Sequence, residues 1–68
     1  MKCLWIKHLD GRVFMRRVED EVEIDLDETS KRLTIKEFDQ LGVKRYELDR
    51  VLRAVILNEG EDPGEEYF

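Results

Sequence analysis

Acidic side chains are the most concentrated chemical feature of this 68-residue sequence. Seven of them and no base lie between Glu19 and Glu28, and in the stretch EVEIDLDE they alternate with Val22, Ile24 and Leu26. This alternation is typical of a strand with one solvent-exposed face, on which successive carboxylates stand about 6.5–7 Å apart. That spacing is close to the roughly 7 Å between phosphates of a nucleic-acid strand. Such a row could bind a basic protein partner, or it could imitate nucleic acid and occupy a protein that binds nucleic acid.

Patterns for catalysis, metal binding or cofactor binding do not occur in the sequence. Calcium loops follow a D-x-D-x-D-G pattern and zinc sites need several Cys and His ligands, but the chain has one of each. On one strand, Cys3 and His8 would point to opposite faces. Asp25 and Asp27 could serve as acid and base, but a small sheet offers them no cleft. We therefore expect a noncatalytic protein without a metal or cofactor.

Two β-hairpins must position the acidic row. Asp10-Gly11 lies between two runs rich in apolar residues and predicts a two-residue turn, which would place Lys7 opposite Phe14 and Trp5 opposite Arg16.

A second hairpin is predicted around Thr29-Ser30. Its register places Leu26 opposite Leu33 and Ile24 opposite Ile35 on one face. The same register places Asp27 opposite Arg32 and Glu23 opposite Lys36 on the other face. The acids without a cation opposite them are then the candidates for partner binding: Glu19, Asp20, Glu21 and Asp25.

The apolar spacing changes after Lys36 and predicts a C-terminal helix from about Val43 to Asn58. The expected fold class is therefore α+β: one domain over residues 1–58, with a roughly four-stranded antiparallel sheet packed by one helix. The helix ends in AVIL, so Ala54, Ile56 and Leu57 would remain exposed for a partner. The expected core is listed as Leu4, Ile6, Val13, Met15, Val22, Ile24, Leu26, Leu33, Ile35, Phe38, Leu41, Leu48, Val51, Leu52 and Val55.

The stretch LTIKEFDQLGVKRYELDRVL, residues 33–52, supports a different interpretation. It resembles the helix-turn-helix of excisionases and small repressors, with a T-x-x-E first helix, a Leu-Gly-Val turn and a basic second helix. The resemblance implies DNA contacts from Lys44, Arg45, Arg50 and Arg53. A net charge of −5 opposes nucleic-acid binding, and residues 33–36 are also needed by the second hairpin.

Residues 59–68, EGEDPGEEYF, are predicted to form a flexible acidic tail whose Tyr67 and Phe68 bind a partner. A lone Cys, no signal peptide and no apolar run long enough to span a membrane predict a cytoplasmic protein. The sequence thus favours a small protein-binding regulator or accessory factor that acts as a homodimer, with a brevity that suits a phage or mobile element. The alternatives are a DNA-binding regulator with a helix-turn-helix at residues 33–52, and an acidic nucleic-acid mimic.

Overall fold

Six β-strands form most of the protein in the computed structural model, which describes residues 1–67. In chain order they are β1 Lys2–His8, β2 Val13–Val18, β3 Glu21–Asp27, β4 Arg32–Asp39, β5 Gly42–Leu48 and β6 Val51–Asn58, followed by a 3₁₀ turn at Glu65–Tyr67. The strands form two three-stranded antiparallel sheets: sheet one is β2-β1-β6 and sheet two is β3-β4-β5. The predicted α+β class is therefore wrong, because no α-helix occurs within the described residues.

The predicted helix over residues 43–58 is replaced by β5 and β6. The helix-like spacing of Leu48, Val51 and Leu52 arises where one strand ends and the next begins, across a turn in which Arg50 has a φ of 56°. The β-branched residues Val51 and Val55 also favour strand over helix. Short apolar runs fit both periods, so the spacing alone was misleading.

The same strands replace the helix-turn-helix expected at residues 33–52. Residues 32–39 form β4 and residues 42–48 form β5, with Asp39 paired to Gly42 across a tight turn. The Asp39 carboxylate accepts the Leu41 N–H at 2.7 Å within this turn. The DNA-binding hypothesis therefore loses the motif on which it depended.

The second hairpin has the predicted register. Leu26 pairs with Leu33 and Ile24 with Ile35. Its turn is closed by Asp27, whose Oδ1 accepts the backbone N–H groups of Thr29 at 2.9 Å and Ser30 at 3.3 Å. These N–H groups hold the pKa of Asp27 below its usual value.

The first hairpin exists, but its register differs from the prediction by one residue. Trp5 pairs with Met15 and Ile6 with Phe14, so Arg16 lies opposite Leu4 rather than Trp5. The cause is a longer loop, which is closed by a hydrogen bond of 2.9 Å from the His8 N–H to the Arg12 carbonyl. Gly11 sits in this loop with a φ of 90°, where residues other than glycine are strained, so the turn is not the two-residue type expected.

The two sheets pack face to face around a small core. Leu4, Ile6 and Val51 from sheet one meet Leu33 and Ile35 from sheet two. The chain makes the β1-β2 hairpin, then all of sheet two, and returns with β6 beside β1. A hydrogen bond from the Val51 N–H to the Lys31 carbonyl, 2.8 Å long, ties the returning strand to sheet two.

Several predicted core residues lie elsewhere. Leu41 is 97% exposed at the β4-β5 turn, and Met15 is exposed on β2. Phe38 is only half-buried because successive side chains of a strand alternate between its faces, which places Phe38 on the opposite face of β4 from Ile35. The expected positions Leu4, Ile6, Leu33, Ile35 and Val51 are buried.

The segment after β6 contacts the sheet. Tyr67 in the 3₁₀ turn is 4% exposed, and the turn packs against β1. Arg53 of β6 donates to Glu66 at 2.7 Å, and Arg17 lies 3.3 Å from Glu59. Burial raises the pKa of the Tyr67 hydroxyl. The division into residues 1–58 and 59–68 stays a prediction, and Phe68 lies outside the described residues. Within the described part of the chain, no helix has the length and apolar character needed to cross a membrane.

Candidate partner-binding edge

The acidic row lies on an edge strand. β3 pairs with β4 on one side, and among the described residues no strand is hydrogen-bonded to its other side. Glu21, Glu23, Asp25 and Asp27 share its outer face and are all exposed. An edge strand presents a line of unpaired backbone N–H and C=O groups, so β3 combines hydrogen-bonding capacity with a single sign of charge.

Basic side chains stand behind this row on the same face of sheet two. Lys36 of β4 pairs with Glu23 on one side and with Arg45 of β5 on the other. Arg32 of β4 donates to Asp49 at 3.0 Å. The outer face of sheet two is therefore acidic along β3 and mixed in charge across β4 and β5.

The other two predicted acidic residues precede β3, one of them held through its carboxylate and the other through its backbone N–H. The Asp20 carboxylate lies 2.9 Å from the N-terminal ammonium, which lowers the pKa of Asp20. Glu19 is exposed, and its backbone N–H donates to Glu37 at 3.1 Å. Of the four predicted residues, Glu21 and Asp25 therefore stand on the strand edge, while Glu19 and Asp20 form its approach.

Glu37 is a residue that the sequence analysis missed. It is 7% exposed and lies on the inner face of β4, on the same side as Leu33 and Ile35. Its carboxylate holds the Glu19 N–H, and so fixes the loop that leads into β3. The signal was present, because the correct hairpin register pairs Glu37 with Val22 on the apolar face.

Tyr46 on β5 was also missed. The Arg16 guanidinium lies over its ring, 4.5 Å from the centroid, in place of the predicted contact between Arg16 and Trp5. Within residues 1–67, its buried hydroxyl oxygen lacks a hydrogen-bond partner. Burial of this hydroxyl, with the nearby Glu37 carboxylate, raises the pKa of Tyr46 to about 12.

Comparison with known proteins assigns no family. No protein-family model, curated protein sequence or solved structure matches the chain. Function is therefore inferred from the geometry of the strands.

The predicted apolar partner residues divide between the two faces of sheet one. Ala54 and Ile56 lie opposite Ile6 and Leu4 on the inner face and pack against the core. Leu57 pairs with Cys3 on the outer face and is half-buried. Tyr67 is buried, as described above, so only small parts of this predicted surface are accessible.

The four bases of the DNA-binding hypothesis do not form one surface. Lys44 and Arg45 alternate between the two faces of β5, because successive side chains of a strand point in opposite directions. Arg50 is in the turn after β5, and Arg53 is paired with Glu66. No group of three or more potential His, Cys, Asp or Glu ligands comes together in the described part of the chain.

Proposed function

We propose that the protein is a noncatalytic protein-binding regulator, a homodimer whose β3 edge captures a basic, extended segment of a partner protein. The observation that supports this proposal is the position of the acidic row: Glu21, Glu23, Asp25 and Asp27 follow an edge strand that has an open line of backbone groups.

Strand addition is the binding mode that uses both features of β3. A partner strand gains affinity from main-chain hydrogen bonds to the sheet edge, and selectivity from side chains at alternate positions. Lys or Arg at every second position of the partner would stand opposite the carboxylates of β3. Partners with acidic side chains at those positions would be repelled.

Nucleic-acid mimicry is a weaker candidate function. The spacing of the carboxylates along β3 favours it, but a mimic presents its charge to a broad basic surface. Here Arg32, Lys36 and Arg45 share the outer face with the acidic row. The acids line one edge of the face, which fits a strand beside β3 better than a surface docked over sheet two.

The test measures binding of a labelled peptide in which Lys occupies every second position and Val or Thr occupies the positions between. A peptide with Glu in place of each Lys is the negative control. We expect the Lys peptide to bind the full chain and to bind more weakly as salt concentration rises. The variant Glu21→Gln/Glu23→Gln/Asp25→Asn should lose at least about tenfold in affinity, equivalent to about 1.4 kcal/mol.

A matched control carries the same change in net charge away from β3: Glu61→Gln/Asp62→Asn/Glu65→Gln. Equal weakening in the control would mean that the peptide responds to total charge and not to the edge. No binding of the Lys peptide to the wild-type chain would reject the proposal.

Amide hydrogen exchange separates strand addition from docking over the face. Strand addition should slow exchange of β3 amides that point away from β4, because they gain hydrogen bonds to the peptide. Mimicry predicts unchanged protection along β3, together with competition against nucleic acid for a DNA-binding or RNA-binding protein.

A further inference from the structure

The opposite edge of sheet two has a different charge pattern. Among residues 1–67, β5 pairs with β4 alone in its sheet, so its outer edge is open. Its outer-face side chains are Val43, Arg45 and Glu47, all exposed, and the Arg45 Nη2 atom lies 3.2 Å from Glu47 Oε1. The outer face of this edge therefore carries one base and one acid at alternate positions.

We propose that two copies of the chain pair along β5 in antiparallel orientation, with a two-fold axis between their Tyr46 residues. In this register Arg45 of each copy stands opposite Glu47 of the other, so one contact forms two cross-strand ion pairs. The interface rests on the homodimer in the proposed function, but it does not depend on what β3 binds.

The register follows from symmetry and charge. Two antiparallel copies related by a two-fold axis keep their inner faces on the same side, so each residue stands opposite a residue of its own face. A register centred on Lys44, Arg45 or Glu47 would place that charge opposite its own copy, which is unfavourable. The register centred on Tyr46 is the one in which opposite charges meet.

The other edge strands lack this self-complementarity. β3 has only acids among its charged residues, so two β3 edges repel each other. β2 has only bases, Arg16 and Arg17, with the same result. β6 has one charged residue, Arg53, and no acid that could face it in a second copy.

The proposed dimer has a consequence for the arrangement of its binding edges. Pairing of two β5 strands would join the two copies of sheet two into one six-stranded sheet in the order β3-β4-β5-β5-β4-β3. Both acidic β3 strands would then lie at the outer edges, where they remain accessible. A partner with two basic segments could engage both edges.

Charge-reversal variants of the whole 68-residue chain test the interface, with the dimer dissociation constant measured by sedimentation. The single variants Arg45→Glu and Glu47→Arg should each raise the dimer dissociation constant at least about tenfold, because each places like charges opposite each other. Mixing the two variants should restore dimers that contain one copy of each, since both cross-strand pairs become opposite in charge again. The double variant Arg45→Glu/Glu47→Arg should dimerise with itself.

Lys7→Glu is the control for Arg45→Glu, because it makes the same change in charge on sheet one and should leave the dimer intact. Circular dichroism of each variant tests for a folding defect, and rescue on mixing identifies a contact between copies. A wild-type chain that stays monomeric, or a mixture without mixed dimers, would overturn this interface.

Binding of the Lys peptide in the same variants keeps the two proposals apart. If the Arg45→Glu variant is monomeric and still binds the peptide, both proposals are supported. A chain that forms the dimer but does not bind the peptide overturns only the β3 proposal.

Discussion

β3 and β5 flank the same central strand and differ mainly in the charges along their outer faces. β3 carries four acids in seven residues, whereas the outer face of β5 alternates Arg45 with Glu47. These charges predict that one edge repels a copy of itself and attracts a basic strand, while the other edge complements a copy of itself. Edge strands must be protected against uncontrolled pairing, and charge pattern decides which pairing each edge permits.

Removal of core volume from β4 should have the largest effect, since β4 supports both edges. Ile35 is fully buried between the sheets. Ile35→Ala should lower the free energy of unfolding by about 2–5 kcal/mol, measured by urea denaturation. Thr34→Ala, on the opposite face of β4, should cost less than about 1 kcal/mol. Similar losses at the two positions would contradict the assignment of inner and outer faces.

Two charge reversals should make β3 resemble β5. In antiparallel self-pairing centred on Ile24, Glu21→Lys/Asp25→Lys places a base opposite Asp27 and another opposite Glu23, so the strand then complements a second copy as Arg45 and Glu47 do on β5. With two self-complementary edges, the chain should form oligomers that grow with concentration beyond the dimer. Light scattering measures the mass, and Glu21→Gln/Asp25→Asn, which adds no base, should remain a dimer.

Addition of Arg45→Glu to Glu21→Lys/Asp25→Lys should return the oligomers to dimers, now joined through β3. Continued growth of this combined variant would mean that assembly does not use the β5 edge.

Alkaline pH should lower the stability of the fold through Tyr46 of β5. Because the folded-state pKa is raised to about 12, the folded chain holds this proton more tightly than the unfolded chain, whose tyrosine pKa is about 10. Stability from this group is therefore intact below pH 10 and is lost as pH rises towards 12.

Urea denaturation of wild type and Tyr46→Phe between pH 8 and 12 measures this loss. The difference between them should fall by less than about 1.4 kcal/mol per pH unit, because the side chain is only half-buried. Tyr67 also has a raised pKa and contributes equally to both proteins. A difference that does not change with pH would contradict the role given to Tyr46.

The smallest effect is expected at Lys36, which links the two edges across the outer face. It stands between Glu23, which attracts it, and Arg45, which repels it. Lys36→Gln removes both interactions and should change stability by less than about 0.5 kcal/mol in thermal unfolding. A loss above about 1 kcal/mol would show that one of these contacts is far stronger than exposed charge pairs usually are.

The sequence predicted the β3-β4 hairpin well because two kinds of information agreed there. Apolar alternation and opposite charges select the same register, with Ile24 opposite Ile35 and Glu23 opposite Lys36. The first hairpin was recognised from Asp10-Gly11, but loop length was not, and one extra loop residue moved Arg16 away from Trp5. A turn signal locates a hairpin without fixing its register.

Residues 43–58 show where the sequence was ambiguous. Two strands separated by Asp49 and Arg50 place apolar residues at spacings that also fit a helix. Arg50 has a positive φ in the turn between the two strands, and no glycine marks this turn in the sequence. The acidic row was correctly placed on a strand, but its position at an edge depends on strand order, which the local sequence pattern does not determine.

The return of β6 to β1 also governs how the chain must fold. β3, β4 and β5 are joined by short turns, so their pairing needs only local contacts and should form early. β1 must wait for residues 51–58 before its second neighbour exists. Topologies rich in such distant pairings fold in roughly milliseconds to seconds rather than microseconds. During that interval the apolar run of β6 is unpaired, so the rate of this last closure determines how long the nascent protein is vulnerable to aggregation.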